Sequence, residues 1–388
     1  MSSYYLDSNS KSPLSDSVKR FLLKGDFDFS NPGSIHKSGR KAREQVDLVT
    51  DYLYKLFNLK RSSYHLFFHS GATEGVNTFM RGVAAKAANQ GDQIAYFYSS
   101  VDHPVSFAIA RLLKEQGHIT CQFPVDRNGA FDLDQLVGNI TSTRRKVSEV
   151  FLNYQAVNGV TGVVWPLSWA NRVKKESGCY INVDYTQAPG RVDQWEQLDD
   201  SLDAYHFSGH KFGALPGVGF SFINSLITIP ALVVGGGQQQ GIRSGTENVL
   251  GIYTLQLALE DLVTGATTDQ ILLYRSELEQ LLQKTLDNRG EVIANRACYR
   301  AANTTYFVVK GVKAQELVVA LDIAGLEVSA GTACSSGVVI DYYILEAMGY
   351  SSADYPGGVR VSLPPTITYD QLHAAKTVLS GVLERYLV

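Results

Sequence analysis

Short apolar runs alternate with longer amphipathic segments along most of the chain's N-terminal part. The runs predict buried strands, because each is short, rich in aromatic or β-branched residues and followed by turn-forming residues. They lie at residues 66–69, 93–98, 147–152, 180–183, 204–207 and 217–222. Helices with apolar positions on one face are predicted at residues 37–57, 76–87, 105–116 and 166–177. This alternation predicts a mostly parallel sheet covered by helices on both faces.

The two ends of the chain and a polar loop depart from this pattern. Residues 4–13 indicate a short strand and a loop, followed by a helix capped by Ser15 or Asp16. Residues 235–248 form a Gly-rich polar loop, and ordered loops of this length tend to be functional. A helix from Val249 leads to a smaller α+β unit, with predicted elements at residues 268–286, 304–309, 314–324, 326–329 and 369–386. We predict a large domain at residues 14–255 and a small domain made of residues 1–13 and 256–388.

Composition limits the classes of function. The chain has 388 residues, 45% of them hydrophobic and 19% charged, which is typical of a soluble globular protein with sizeable cores. A net charge of −3 gives no bulk electrostatic reason to bind nucleic acid or an anionic membrane. We find no leader segment and no apolar run that could span a bilayer, so we expect a cytoplasmic protein. The four cysteines are far apart, and neither a disulfide framework nor a metal site is predicted.

Two residues at predicted strand ends point to a particular cofactor. Lys211 lies in Ser208-Gly209-His210-Lys211, just after one strand, and Asp184 ends another. Pyridoxal phosphate (PLP) needs a lysine for its Schiff base, and a carboxylate on its ring nitrogen makes the ring a better electron sink. Lys211 and Asp184 match these two needs. A surface lysine in a Gly-rich turn remains the alternative interpretation of the lysine motif alone.

Two further segments lie at the same predicted sheet edge. The strand at residues 66–69 runs through Ser70-Gly71-Ala72-Thr73-Glu74-Gly75 into a helix. Free backbone N–H groups and the positive end of the helix dipole favour an anion there, so this is the predicted seat of the cofactor phosphate. His103, in Asp102-His103-Pro104, follows another strand. An isolated histidine is more often structural, but the carboxyl edge of an open α/β sheet is where ligands bind.

Several motifs in their order along the chain resemble one family. They are Asn31-Pro32-Gly33-Ser34-Ile35-His36, Ser70-Gly71-Ala72-Thr73-Glu74, Asp102-His103-Pro104, Val183-Asp184-Tyr185-Thr186-Gln187, Ser208-Gly209-His210-Lys211, Arg243-Ser244-Gly245-Thr246-Glu247-Asn248 and Ser329-Ala330-Gly331-Thr332-Ala333-Cys334-Ser335-Ser336-Gly337. Together they resemble the NifS-like cysteine desulfurases, which are fold type I PLP enzymes of the class V aminotransferase group. The resemblance extends from Tyr5 to about Leu363. It implies an α/β fold, with a large mixed, mostly parallel sheet domain and a smaller α+β C-terminal domain.

The resemblance also implies roles for individual residues. Lys211, Cys334 and His103 are the predicted catalytic residues: the Schiff-base lysine, the sulfur-accepting nucleophile and the imidazole stacked on the cofactor ring. The predicted cofactor-binding residues are Gly71, Ala72, Thr73, His103, Asn158, Asp184, Gln187, Ser208, His210, Lys211 and Thr246. The predicted substrate-binding residues are Asn31, Asn158 and Arg360, with Arg360 binding the substrate carboxylate. Thr246 is expected to reach the neighbouring subunit's cofactor, which makes the functional unit a homodimer.

The implied reaction converts L-cysteine to L-alanine and leaves the sulfur on Cys334 as a persulfide. A sulfur-acceptor protein is then expected, for iron–sulfur cluster assembly or for thio-cofactor or tRNA synthesis, and its identity stays open. Selenocysteine lyase and a cysteine or cystine C–S lyase acting by β-elimination are the alternatives. An inactive PLP-binding scaffold is a third.

Three segments depart from the family pattern. Asn158 lies one residue further from Gly162 than the family spacing requires. Asp7-Ser8-Asn9-Ser10-Lys11-Ser12-Pro13 replaces the Ala-Thr-Thr-Pro type of N-terminal motif, and Pro364-Pro365-Thr366 follows the arginine strand where the family has Gly-Arg-Phe. The first departure bears on the cofactor contact and the second on the substrate entrance.

Overall fold

The structure is a computed structural model that describes residues 3–27, 29–265, 268–331 and 343–387. Its large unit is built on a seven-stranded sheet with strand order β2-β8-β7-β6-β5-β3-β4. The strands are β2 (Tyr64–His69), β3 (Ile94–Ser99), β4 (Ile119–Phe123), β5 (Glu149–Gln155), β6 (Tyr180–Asp184), β7 (Ala204–Ser208) and β8 (Gly219–Asn224). Strand β8 runs antiparallel to both neighbours and the other pairs are parallel.

Helices cover both faces of this sheet. They are α1 (Asp16–Lys24), α2 (Lys37–Leu56), α3 (Ala72–Gln90), α4 (Pro104–Glu115), α5 (Leu133–Arg144), α6 (Leu167–Ser177) and α7 (Val249–Thr264). Helices α3 and α4 pack on one face and share an apolar core with buried residues such as Phe79 and Ile109. The core on the opposite face contains a cluster of aromatic rings among aliphatic side chains, with Phe207 and Phe220 stacked at 4.4 Å and Phe57 at the end of α2 beside them.

The small unit contains the N-terminal strand as well as the C-terminal segment. Strand β1 (Tyr4–Tyr5) pairs in parallel with β11 (Leu326–Glu327), and β9 (Gly290–Val292), β10 (Thr304–Val309) and β12 (Gly358–Ser362) form an antiparallel sheet. Its helices are α8 (Thr268–Leu286), α9 (Ala314–Ile323) and α11 (Tyr369–Tyr386), while α10 (Tyr343–Ala347) buries Ile344 and Leu345 in the core of the large unit. Leu6 packs in the same apolar core as α8 and α11.

The two apolar cores indicate where the boundary between the units lies. Helix α7 buries Leu255, Ala258 and Leu259 in the core of the large unit. We therefore propose a boundary between α7 and α8, slightly later than the predicted division at residues 255 and 256. In the described part of the chain, no helix is both long and apolar enough to cross a membrane.

Buried polar side chains on neighbouring strands of the large sheet are linked by hydrogen bonds beneath α3. His69 and His206 both contact Ser221 Oγ at 2.7 Å, and His206 Nε2 contacts Asn182 Oδ1 at 2.5 Å. The row of hydrogen bonds continues to Asp102: Asn182 Nδ2 donates to Asn153 Oδ1 at 2.7 Å, and Asn153 Nδ2 donates to Asp102 Oδ2 at 3.1 Å. Helix α3 can lie this close because residue 75 is glycine: a Cβ there would lie 2.5 Å from Ser221 Oγ.

Candidate active site

A cavity of about 450 Å³ opens at the carboxyl ends of the central strands. The parallel strands β3, β5, β6 and β7 end at the same edge of the sheet, so residues distant in sequence meet there. Most of the predicted site residues line it: Thr73, Ala72, His103, Asn158, Asp184, Gln187, Ser208, His210, Lys211 and Arg360. The tertiary structure therefore brings together the residues that sequence motifs had suggested separately.

Lys211 lies on a short 3₁₀ turn that follows β7 directly. Its Nζ donates to the main-chain oxygens of Asn9 and Ser10, both at 2.8 Å. Its own main-chain oxygen accepts a 2.6 Å hydrogen bond from Arg191 Nη2. The amine is thus held against the N-terminal segment, inside the cavity.

Asp184 ends β6 on the same side of the cavity. Its Oδ1 accepts a hydrogen bond from the Thr186 N–H at 3.0 Å. Within the described ranges, Oδ2 receives no hydrogen bond from protein groups, so one carboxylate oxygen stays available to a donor in the cavity. The residue is nine-tenths buried, which strengthens any such bond.

The segment from β2 to α3 supplies hydrogen-bond donors at the other end of the cavity. Helix α3 begins at Ala72 with Gly71 as its N-cap, and Ala72 N–H donates to Ser208 Oγ at 2.7 Å. Thr73 N–H has no acceptor among the residues that the structure describes, as expected for the first turn of a helix. Gly71 itself does not line the cavity, although it adjoins residues that do. The arrangement favours an anion at this point.

The two ring nitrogens of His103 have different roles, because one accepts a backbone hydrogen bond and the other faces no such donor among the described residues. It is the N-cap of α4, and its Nδ1 accepts a hydrogen bond from Val105 N–H at 3.2 Å. Burial lowers its pKa, with the nearby Lys211 adding to the effect and Asp184 opposing it. The neutral ring therefore carries its proton on Nε2, as assigned from this hydrogen bond. Only Nε2 is left to exchange a proton with a ligand.

Arg360, on β12 of the small unit, reaches the cavity from the opposite side. Nη2 donates to Asp7 Oδ1 at 2.6 Å and to Ser10 Oγ at 2.9 Å, and Nη1 donates to Gly159 O at 3.1 Å. Its Nε is buried and has no partner in the described structure. A guanidinium in this position can bind a carboxylate that enters between the two units.

Asn158 lines the cavity, but its side chain already holds the loop together. Nδ2 donates to Val101 O and Gln155 Oε1, and Oδ1 accepts from the backbone N–H groups of Val160 and Thr161. Gln155, which sequence reasoning missed, ends β5 in register with Asp184 and lines the cavity with its Nε2 free of described partners. The sequence signal that could have identified Gln155 is its position. It ends the parallel strand next to the one that Asp184 ends, so its side chain faces the site.

Besides Gly71, two of the predicted residues that the structure describes, Asn31 and Thr246, do not line the cavity. Asn31 is exposed, and its Oδ1 accepts from Gly33 N–H in a local turn. Thr246 is exposed on the Gly-rich loop. Cys334 lies outside the described residues. Asn9, Ser10 and Tyr343, by contrast, line the cavity without having been predicted from sequence.

Comparisons with known proteins agree with this geometry. The family model described as aminotransferase class-V matches residues 4–374. The chain belongs to the class-V aminotransferase family. A cysteine desulfurase of Nostoc sp. is 29% identical over 393 residues, covering 99% of this chain and 94% of that relative. The resemblance to NifS-like cysteine desulfurases that the motifs suggested is confirmed.

Solved structures support the fold of this class-V aminotransferase. A NifS-like protein has a TM-score of 0.86 at 23% identity, with 99% of this chain and 100% of that chain covered. A NifS-like protein from Rickettsia africae has a TM-score of 0.84 at 24% identity, with both chains fully covered. The predicted fold class, with a large mixed, mostly parallel sheet, is therefore confirmed.

Buried histidines predict that stability falls in mild acid. Burial lowers the pKa of His69 and of His210 to about 4, and that of His206 well below its usual value. The unfolded chain therefore binds more protons between roughly pH 4 and 6.5, so this stability is present above pH 6.5 and lost toward pH 4. Burial raises the pKa of Asp102 to about 7, which acts in the opposite direction over a similar range. A net uptake of about two protons on unfolding at pH 5 is expected.

Urea unfolding at pH 5 and pH 7 measures this uptake. Asp102→Asn is a matched control, because the amide oxygen can still accept from Ser99 N–H and the opposing titration is gone. Proton uptake should then rise by about one. Equal stability of the wild-type protein at the two pH values would contradict the prediction.

Proposed function

We propose that this class-V aminotransferase is a PLP-dependent cysteine desulfurase. It converts L-cysteine to L-alanine and passes the sulfur to its own Cys334. The observation that carries the proposal is the meeting of Lys211, Asp184, His103 and Arg360 in one cavity. The curated relatives named cysteine desulfurase support the same reaction.

The described residues fit pyridoxal phosphate. Thr186 Oγ1 and Gln187 Oε1 are buried, line the cavity and have no hydrogen-bond partner in the described protein. Buried polar groups of this kind normally have a partner, so a polar ligand is expected between them. Asp184 would hold the ring nitrogen, and Thr73, Ser208 and His210 at the α3 end would hold the phosphate. His103 would lie against the ring.

The bound cofactor would supply an electron sink that weakens bonds at the substrate's α-carbon. Arg360 would bind the substrate carboxylate, which orients the α-hydrogen and the sulfur relative to the rest of the cavity. Lys211, released as a free amine, would remove the α-proton and return it. His103 Nε2 would exchange a proton at the substrate sulfur.

The proposed sulfur transfer needs no external oxidant. The Cys334 thiolate would attack the substrate sulfur as the Cβ–S bond breaks, so one S–S bond forms and one C–S bond is lost. Protonation of the former β-carbon gives alanine, which the Lys211 amine would displace, while Cys334 keeps the sulfur as a persulfide. Delivery to a sulfur-acceptor protein would follow.

We also propose a homodimer in which Thr246 completes the partner's phosphate site. Two ion pairs anchor the loop on either side of Thr246: Arg243 with Glu74 at 2.9 Å and Glu247 with Arg43 at 2.8 Å. Thr246 itself projects from its own unit as an exposed residue. Apolar side chains such as Ile35 and Val234 are 90% and 82% exposed, which suits burial against a second copy.

Product analysis tests the proposed reaction. Purified wild-type enzyme with L-cysteine and a thiol reductant is expected to release alanine and sulfide in equal amounts, because the reductant removes the persulfide sulfur. A β-eliminating C–S lyase would instead release pyruvate and ammonia. Pyruvate as the main product would contradict the proposal, and turnover confined to selenocysteine would favour selenocysteine lyase.

A further inference from the structure

A second cavity, of about 880 Å³, lies between the large and small units. We call it the interdomain cavity. Arg191 and Trp165 line it from the large unit, and Arg275, Glu279 and Arg300 line it from the small unit. None of these residues lines the candidate active site. The interdomain cavity is thus a separate place where charged side chains converge.

The floor of this cavity contains more positive than negative charge. The side chains of Arg275 and Arg300 are 10% and 6% exposed, and they share one carboxylate, Glu279. Glu279 Oε1 accepts from Arg300 Nη2 at 2.8 Å, lies 3.8 Å from Arg275 Nε and also accepts from Thr305 Oγ1 at 2.9 Å. One carboxylate therefore serves two guanidinium groups and a hydroxyl.

Arg191 adds a third buried guanidinium. It is 4% exposed, and its hydrogen bonds go to main-chain oxygens of Ser8 and Lys211. It makes no ion pair with any residue in the described ranges. Burial and the like charge of Arg360 lower its pKa to about 9. Buried charge is costly unless it is paired, so a negative partner would stabilise this region.

Unused donors lie among these same side chains. Arg191 Nη1, Arg275 Nε and Arg300 Nε are all buried without a hydrogen-bond partner in the described protein. Guanidinium groups bind carboxylates and phosphates particularly well, through charge-assisted hydrogen bonds. The carboxylates of Asp193 and Asp269 also line the cavity, but both residues are exposed, so solvent screens them.

The walls of the cavity favour an organic anion over a bare inorganic one. Trp165, Val157, Val164, Leu272 and Tyr299 contribute apolar surface to these walls. A ligand with an apolar body and one acidic group would bury the body against these side chains and pair the acid with the arginines. The exposed rim lets such a molecule enter from solvent.

We propose that the interdomain cavity is a second ligand site, which binds a small organic anion through Arg275, Arg300 and Arg191. The acid can be a carboxylate or a phosphate, since both present oxygens to a guanidinium. Arg191 also donates a hydrogen bond to the main-chain oxygen of Lys211, so this hydrogen bond connects the proposed site to the candidate active site.

Calorimetric titration of the cofactor-loaded enzyme tests the site, with 4-nitrobenzoate as the probe and neutral 4-nitrobenzyl alcohol as its matched control. Saturable binding of the acid and not of the alcohol is expected. Arg275→Met and Arg300→Met should each weaken binding by about 10-fold or more, the usual effect of losing a charge-assisted hydrogen bond. Competition by phenyl phosphate would show that phosphates enter the same site, and its failure would restrict the site to carboxylates.

Arg296→Met is the charge control, because Arg296 is exposed in the same segment and does not line the cavity. Leu272→Trp is a second test that leaves every arginine in place: it should narrow the rim and weaken binding if the buried-arginine variants fail to fold. Absence of saturable binding to the wild type would overturn the proposal. Unchanged binding in the cavity variants, or equal weakening by Arg296→Met, would overturn it as well.

Discussion

Lys211→Ala is expected to abolish turnover of L-cysteine. The structure places this lysine at the end of β7, inside the cavity that also contains Asp184 and Arg360. Loss of the amine removes both the covalent attachment for the proposed cofactor and the group that moves the α-proton. Removing a general acid–base group alone costs up to about 10⁴-fold, so a loss of at least that size is expected.

Two measurements accompany this variant. The yellow absorbance of lysine-bound pyridoxal should disappear, and alanine release should fall to background. Lys11→Ala is the control, because Lys11 is an exposed lysine of the adjacent N-terminal segment. It is expected to retain turnover. Near-normal alanine release by Lys211→Ala would exclude Lys211 as the catalytic lysine.

Cys334→Ser is expected to stop the reaction after substrate binding. Lys211, Asp184 and Arg360 are unchanged in this variant, so L-cysteine should still enter the site and alter the cofactor's absorbance. A serine hydroxyl is a far weaker nucleophile toward sulfur than a thiolate, and the C–S bond then has no acceptor for its sulfur. Alanine formation should fall by about 10³-fold or more, in the range seen when a group acting directly on the reacting atoms is lost.

Persulfide labelling after exposure to L-cysteine decides the role of Cys334. Wild-type enzyme should carry the label on Cys334, and Cys334→Ser should carry none. Cys121→Ser serves as the matched control, since Cys121 is a partly buried thiol on β4 far along the sheet from the lysine strand. Full activity of Cys334→Ser with pyruvate as the product would establish an eliminating lyase instead.

The elements with a strong local pattern could be predicted from the sequence. Helix α11 was predicted at its observed bounds, and Ser15 is the N-cap of α1, with its side chain accepting from Val18 N–H. The central strands were found because they are apolar on both faces, as strands of a covered parallel sheet must be. Strand β4 escaped prediction because it is an edge strand whose residues Ile119, Thr120 and Cys121 stay partly exposed. Its apolar pattern is correspondingly weak.

The sequence by itself determined which residue types stand at the ends of strands, and therefore that Asp184, His103 and Lys211 would approach one another. Parallel strands end at one sheet edge, so this meeting needs no knowledge of the packing. Only the tertiary structure decided how the small unit completes the site. Asn9 accepts from Lys211 Nζ and Gln187 Nε2 through its main-chain oxygen, and its amide donates to Thr304 Oγ1. These contacts span up to 295 residues of sequence. They arise because two cores fold against each other, and no local pattern encodes that packing.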